Sequence, residues 1–230
     1  MRPLLRLTGW SALVAGLAHL LQFLVLGIGP ALSEAEHPTP AEAAANYWFG
    51  LAGGLTFTIV GLCYLVFFAA ATELVWRSAA VDAVVWRRAM QSAAIIGITS
   101  WFLAGMTNIA RRGFNATAIA ELAGDDGIAR AALQSTYVGF SAAAITTAVV
   151  FCAWWIAFAV RGARTRTIGL PTAIAVTVLG GLVPLAGWVA NLGGIPAIVL
   201  AFLVLGPVLL RRARRMEPSA PVIDASPVTE

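Results

Sequence analysis

Residues 48–74 read WFGLAGGLTFTIVGLCYLVFFAAATEL, and the only charge in that stretch is Glu73, close to its end. A helix needs about 20 mainly apolar residues to cross a hydrocarbon core of ~30 Å, and this segment supplies them. Working outward, the same kind of run recurs at residues 7–29, 89–110, 137–160, 168–190 and 195–210. The last is short, roughly 24 Å at 1.5 Å per residue, and fits only a locally thin bilayer or an earlier start near Gly193. The pattern predicts an all-α polytopic membrane protein, a bundle of six transmembrane helices in residues 1–212. Residues 213–230, rich in Pro, Ser and acids, are expected to form a disordered tail.

Composition excludes the main alternatives. The chain is 60% hydrophobic and 11% charged, whereas a water-soluble domain runs near 45–50% and about 25%. The net charge is +4, but the arginines flank apolar runs instead of clustering on a charged domain, which argues against nucleic acid. All 15 basic residues are Arg, so a retinal Schiff base, which requires Lys, is excluded. There is no phosphate-binding glycine loop, no GxSxG, no HExxH and no pair of carboxylates. Cys63 and Cys152 lie inside apolar runs without metal-ligand spacing and read as small buried hydrophobes.

Arginine placement sets the orientation. With six spans, Arg111, Arg112 and Arg130 fall on one side and the other 12 on the opposite side. The positive-inside rule puts the larger group, and with it both termini, in the cytoplasm. The localisation that follows is a bacterial plasma membrane. Trp10, Trp76 and Trp86 fall at inner ends, and Tyr47, Trp48, Tyr137 and Trp188 at outer ends, as expected of interfacial rings. Ala31-Leu32-Ser33 offers small residues for signal cleavage, but the preceding apolar run exceeds the usual ~7–15 residues of a signal core. In the outer loops, Ala41–Ala45, Asn115–Leu122 and Asp126–Gln134 each read as a short helix, the last two capped by Asn115 and Asp126.

No Arg, Asp or Glu is expected at mid-membrane, which removes the ionisable relays of pumps and proton-coupled transporters. The one titratable candidate at depth is His19, with Gln22 on the same helix face. Thr56 and Thr58, Thr99 and Ser100, and Thr146 and Thr147 fall at similar depth in spans two, three and four. Together these residues form a polar layer with two open readings. It is a pocket for a lipophilic small molecule, or it is packing held by interhelical hydrogen bonds averaging ~0.6 kcal/mol. Hydroxyls that bond their own i−4 carbonyl belong to neither. A bilayer haem or metal needs several ligands, and the second His, His37, lies in a loop; no cofactor or metal is expected.

At the inner ends, Glu73 stands four residues before Arg77, the favourable order for a helical ion pair. It is also the one candidate for a general acid near the membrane face. Arg211, Arg212, Arg214 and Arg215 follow the last span directly and are candidates for pairing with lipid headgroups. Small residues, Gly50 and Gly54 in span two and Ala12 and Gly16 in span one, allow close helix approach. Pro184 and Pro207 interrupt spans five and six.

Arg6-Leu7-Thr8-Gly9 opens span one, a short helical segment at Gly127–Gln134 precedes span four, and Gly169-Leu170-Pro171 opens span five, followed by Gly180-Gly181. In this order of features the chain resembles an uncharacterised bacterial family of six-span membrane proteins, a domain of unknown function, over about residues 6–212. That family usually carries Arg or Lys directly after the Pro, where this chain has Thr172. The resemblance implies fold and location but no chemistry. Three functions stay open: a non-enzymatic bundle binding a lipophilic small molecule or a membrane partner, a membrane-embedded enzyme acting on a lipid or isoprenoid through Glu73 or His19, and a small transporter. The first needs no catalytic group and is favoured.

Overall fold

A computed structural model describes residues 1–32, 47–78, 80–112, 126–190 and 195–216. Among them there are six helices, each long and apolar enough to cross a membrane. They are α1 (Arg2–Leu32), α2 (Tyr47–Val75), α3 (Val81–Arg112), α4 (Asp126–Arg164), α5 (Leu170–Val189) and α6 (Ile195–Arg215). The expected loop helices at 41–45 and 115–122, His37 and the tail beyond Met216 lie outside the described residues.

The helices overrun the apolar segments. α3 begins at Val81 instead of 89, and α4 at Asp126 instead of 137. The separate short helix expected at Asp126–Gln134 is therefore the first part of α4. α6 carries Arg211–Arg215 in helical conformation, so the tail starts later than 213. The bilayer limits where side chains must be apolar, not where backbone hydrogen bonding stops. The extensions of α3, α4 and α6 are rich in Arg and Ala, which favour helix, and contain no Pro.

The helices close into a ring in chain order: α1 on α2, α2 on α3, α3 on α4, α4 on α5, α5 on α6 and α6 back on α1. α2 and α4 also touch across the centre. Aromatic rings fill the inside: Tyr64, Phe67 and Phe68 of α2, Trp101 of α3, Phe151, Trp154, Trp155 and Phe158 of α4, and Phe202 of α6 are all buried. Many meet edge to face, as Phe67 does with Phe202 at 4.9 Å and Phe68 with Trp154 at 4.4 Å. Lipid supplies little hydrophobic drive between helices, so this close packing carries the association. Outward-facing Leu, Val and Ile are exposed along every helix, as a lipid-facing surface requires.

Glycines set the tightest crossings. A Cβ on Gly206 would lie 2.7 Å from Leu13 Cγ and 3.0 Å from the Gly9 carbonyl, so α1 and α6 meet backbone to backbone. Gly16 lies against Phe202, and Gly54 against Ile109 of α3. The small residues thus pack span against span. In α5 the turn Val178–Leu182 is a π-helical widening in which Val183 N–H donates to the Val178 carbonyl. Pro184, at the start of the next turn, has no N–H to offer the Gly180 carbonyl and would collide with it in a regular helix. The wide turn relieves that clash, and it sets Gly180 against the Trp155 indole.

α4 ends in a Schellman turn. Thr167 N–H donates to the Gly162 carbonyl at 2.8 Å and Arg166 N–H to the Ala163 carbonyl at 3.0 Å. Arg166 takes the left-handed position usually held by glycine, with φ 52°. Nearby, Glu73 does not use Arg77, its expected partner. Its carboxylate accepts from Arg87 at 3.4 Å and from the Gln91 amide at 3.0 Å, both on α3. The turn after Val75 reverses the chain and brings α3 within reach, while Arg77 already lies beyond the helix.

Candidate functional site

His19 and Gln22 are fully buried on the inner face of α1. Three residues apart, they sit about 4.5 Å from each other along the axis and on the same side of the helix. A polar side chain at this depth is far costlier against lipid than inside the bundle, which fixes the face they occupy.

The His19 ring lies between α2 and α3. Its Nδ1 is 2.5 Å from the Tyr64 hydroxyl, and its centroid is 5.3 Å from that of Trp101. Tyr64 is itself fully buried, stacked on Phe202 at 5.4 Å. Trp101 donates its indole N–H to the Phe57 carbonyl at 3.1 Å and so ties α3 to α2. The Tyr64 hydroxyl has no other acceptor among the described residues, so it donates to Nδ1. A neutral imidazole then carries its proton on Nε2.

That Nε2 has no hydrogen-bond partner, and neither does the Gln22 amide nitrogen nor its carbonyl oxygen. Each of the three would ordinarily be satisfied, since a buried unmet polar group costs about 1–3 kcal/mol. One face of α1 therefore presents a donor and, a turn later, an acceptor with donors. Two further buried orphans, Thr72 Oγ1 and Trp154 Nε1, lie nearer the opposite ends of their helices from Thr56 and Tyr137.

The hydroxyls of the expected polar layer do not join this cluster. Thr58, Thr99 and Thr146 are exposed on the outside of the bundle, and Ser100 is half-buried. Thr146 is satisfied by the Ala142 carbonyl of its own helix. Thr56 is buried and donates to the Gly53 carbonyl at 2.6 Å. Thr147 is buried, donating to the Ala143 carbonyl at 2.9 Å, with the Gly97 carbonyl of α3 at 3.3 Å. Similar depth does not imply the same face, because successive helical residues turn by about 100°. The partner of His19 is Tyr64, not any of the hydroxyls at its level. The signal in the sequence was a Tyr in mid-span, away from the interface where its hydroxyl is cheap to place.

Among the described residues no three of His, Cys, Asp and Glu come together as a metal site. Cys63 and Cys152 are free thiols. A second polar region lies at the end of the bundle that carries Met1 and Arg215. Two cavities open there, of about 400 Å³ and 230 Å³, and Thr167 lines both. Compared with protein-family models, with curated proteins and with solved structures, the chain matches none.

Proposed function

We propose that this chain is a multi-pass protein of a bacterial plasma membrane, with both termini in the cytoplasm, whose bundle holds a lipophilic small molecule by its polar end at His19 and Gln22. The observation that carries this reading is the set of three unpartnered buried atoms on one face of α1. A ligand with a carbonyl or hydroxyl end matches them: an acceptor for the imidazole N–H, and a group that exchanges hydrogen bonds with the amide. The aromatic walls suit an apolar body, and the fixed Tyr64 bond holds the imidazole in the tautomer that donates. Catalysis is the weaker reading, because Glu73, the acid at the inner end of α2, is already engaged by Arg87 and Gln91.

The test is purification in native-membrane discs, followed by mass spectrometry of the extracted small molecules, for the wild type and for Gln22→Leu. The wild type should retain one dominant lipophilic compound above the bulk lipid, and the variant should lose about tenfold, the equivalent of ~1.4 kcal/mol. The variant should keep its helicity. Absence of any compound enriched over bulk lipid in the wild type would remove the reading.

A further inference from the structure

The arginine-rich end of the bundle carries two cavities that neither His19 nor Gln22 lines. The larger cavity is lined by Met1, Leu74, Val75, Arg77, Ser78, Arg161, Thr165 and Thr167, and the smaller by Ile168, Gly169, Val208, Arg211, Arg212 and Arg215 together with Thr167. Five guanidinium groups thus border two adjoining cavities: Arg77, just past α2, and Arg161 of α4 at the larger, and Arg211, Arg212 and Arg215 of α6 at the smaller. Among the described residues no carboxylate lines either cavity, and the ion pair of Arg87 with Glu73 lies outside them. The Nε atoms of Arg161 and Arg212 are buried without a hydrogen-bond partner.

The arrangement on α6 is not an all-round collar of charge. Val208, Arg211, Arg212 and Arg215 follow i, i+3, i+4, i+7 and share the face that lines the cavity, while Arg214 lies off it. The Schellman turn that ends α4 sets Thr167 as the divider between the two cavities. Thr165 spends its single proton on the Arg161 carbonyl, so Thr167 donates to Thr165 and forms a neutral wall. Gly169, which caps the N-terminus of α5, lines the smaller cavity as well. Concentrated unpaired positive charge with planar N–H forks, at the level where a bilayer gives way to water, matches the charge and geometry of a phosphate group.

We propose that each of these two cavities binds a phosphate group, carried by an anionic lipid headgroup or free in solution, the larger through Arg161 with Arg77 and the smaller through Arg212 with Arg211 and Arg215. The experiment places the purified full chain in phosphatidylcholine discs and has two arms. In one, dioleoyl phosphatidate is added to the discs and retained lipid is counted by native mass spectrometry after delipidation. In the other, inorganic phosphate is titrated against thermal unfolding, with chloride at matched ionic strength as reference. Retention in the first arm assigns the site to a lipid headgroup, and a shift in the second assigns it to soluble phosphate; either supports the proposal.

Arg161→Gln and Arg212→Gln should each weaken binding at its own cavity by about tenfold, and Arg214→Gln should leave both intact. Arg212→Lys, which keeps the charge but not the fork, should fall between and covers the case in which a Gln variant does not fold. The proposal is overturned if neither anion acts on the wild type. It is equally overturned if Arg214→Gln loses as much as Arg212→Gln, which would reduce the arginines to a diffuse surface charge.

Discussion

At the residue scale, the burial of His19 follows from its chemistry alone, but its partner does not. A polar ring in hydrocarbon must face the bundle, so the sequence points it inward. Which of several groups it meets depends on the rotation of α2, and that rotation is set by Phe67, Phe68 and Phe202 packing around Tyr64. Tyr64→Phe should cost about 1–3 kcal/mol, because it leaves Nδ1 unmet beside an Nε2 that is already unmet. Thermal unfolding in discs checks this, and an unchanged midpoint would show that the bond contributes nothing. Arg166 gives a prediction of opposite sign. A non-glycine residue at φ 52° costs roughly 1–2 kcal/mol in the left-handed region. Arg166 is exposed, so Arg166→Gly should stabilise the protein by about 1 kcal/mol in the same assay.

At the element scale, the apolar runs were legible and the helix ends were not. Residues 89–110 are the apolar run of α3, but helix formation obeys backbone hydrogen bonding and propensity, and it begins at Val81. The polar layer failed as a set for a related reason: depth follows from counting along each helix, whereas facing depends on how the helix is rolled against its neighbours. The glycines were legible as sites of close approach, and the structure supplies the neighbours. Gly180 is the sharpest case. Its Cβ would fall 2.7 Å from the Trp155 ring, which is fully buried and flanked by Phe67, Phe158 and Phe202. Gly180→Ala should therefore cost about 1–3 kcal/mol through overpacking, more than Gly139→Ala, whose Cβ would meet only Thr107 at an ordinary 3.8 Å. Equal losses in the two variants would mean that the α4–α5 contact is loose.

At the scale of the whole molecule, the ring closure and the side of the membrane come from different physics. Closure comes from packing: α1 and α6 cross backbone to backbone at Gly9 and Gly206, so the first and last spans are neighbours. Met1 and Arg215 line adjoining cavities that share Thr167 as a wall, which puts the start of α1 and the end of α6 at one end of the bundle. Packing alone is indifferent to which way up that end lies. The charge distribution is not: 12 of the 15 arginines belong to that end and its connections, and translocating short arginine-bearing loops is what the positive-inside rule disfavours. The orientation is therefore predicted with both termini inside. Reporter fusions after Pro40 and Asp125 should read outside, and fusions after Ala80 and Pro218 inside. A fusion after Glu230 that reads outside would overturn this orientation. It would also move the phosphate-binding cavities to the outer face, and the lipid available to fill them would then come from the other leaflet.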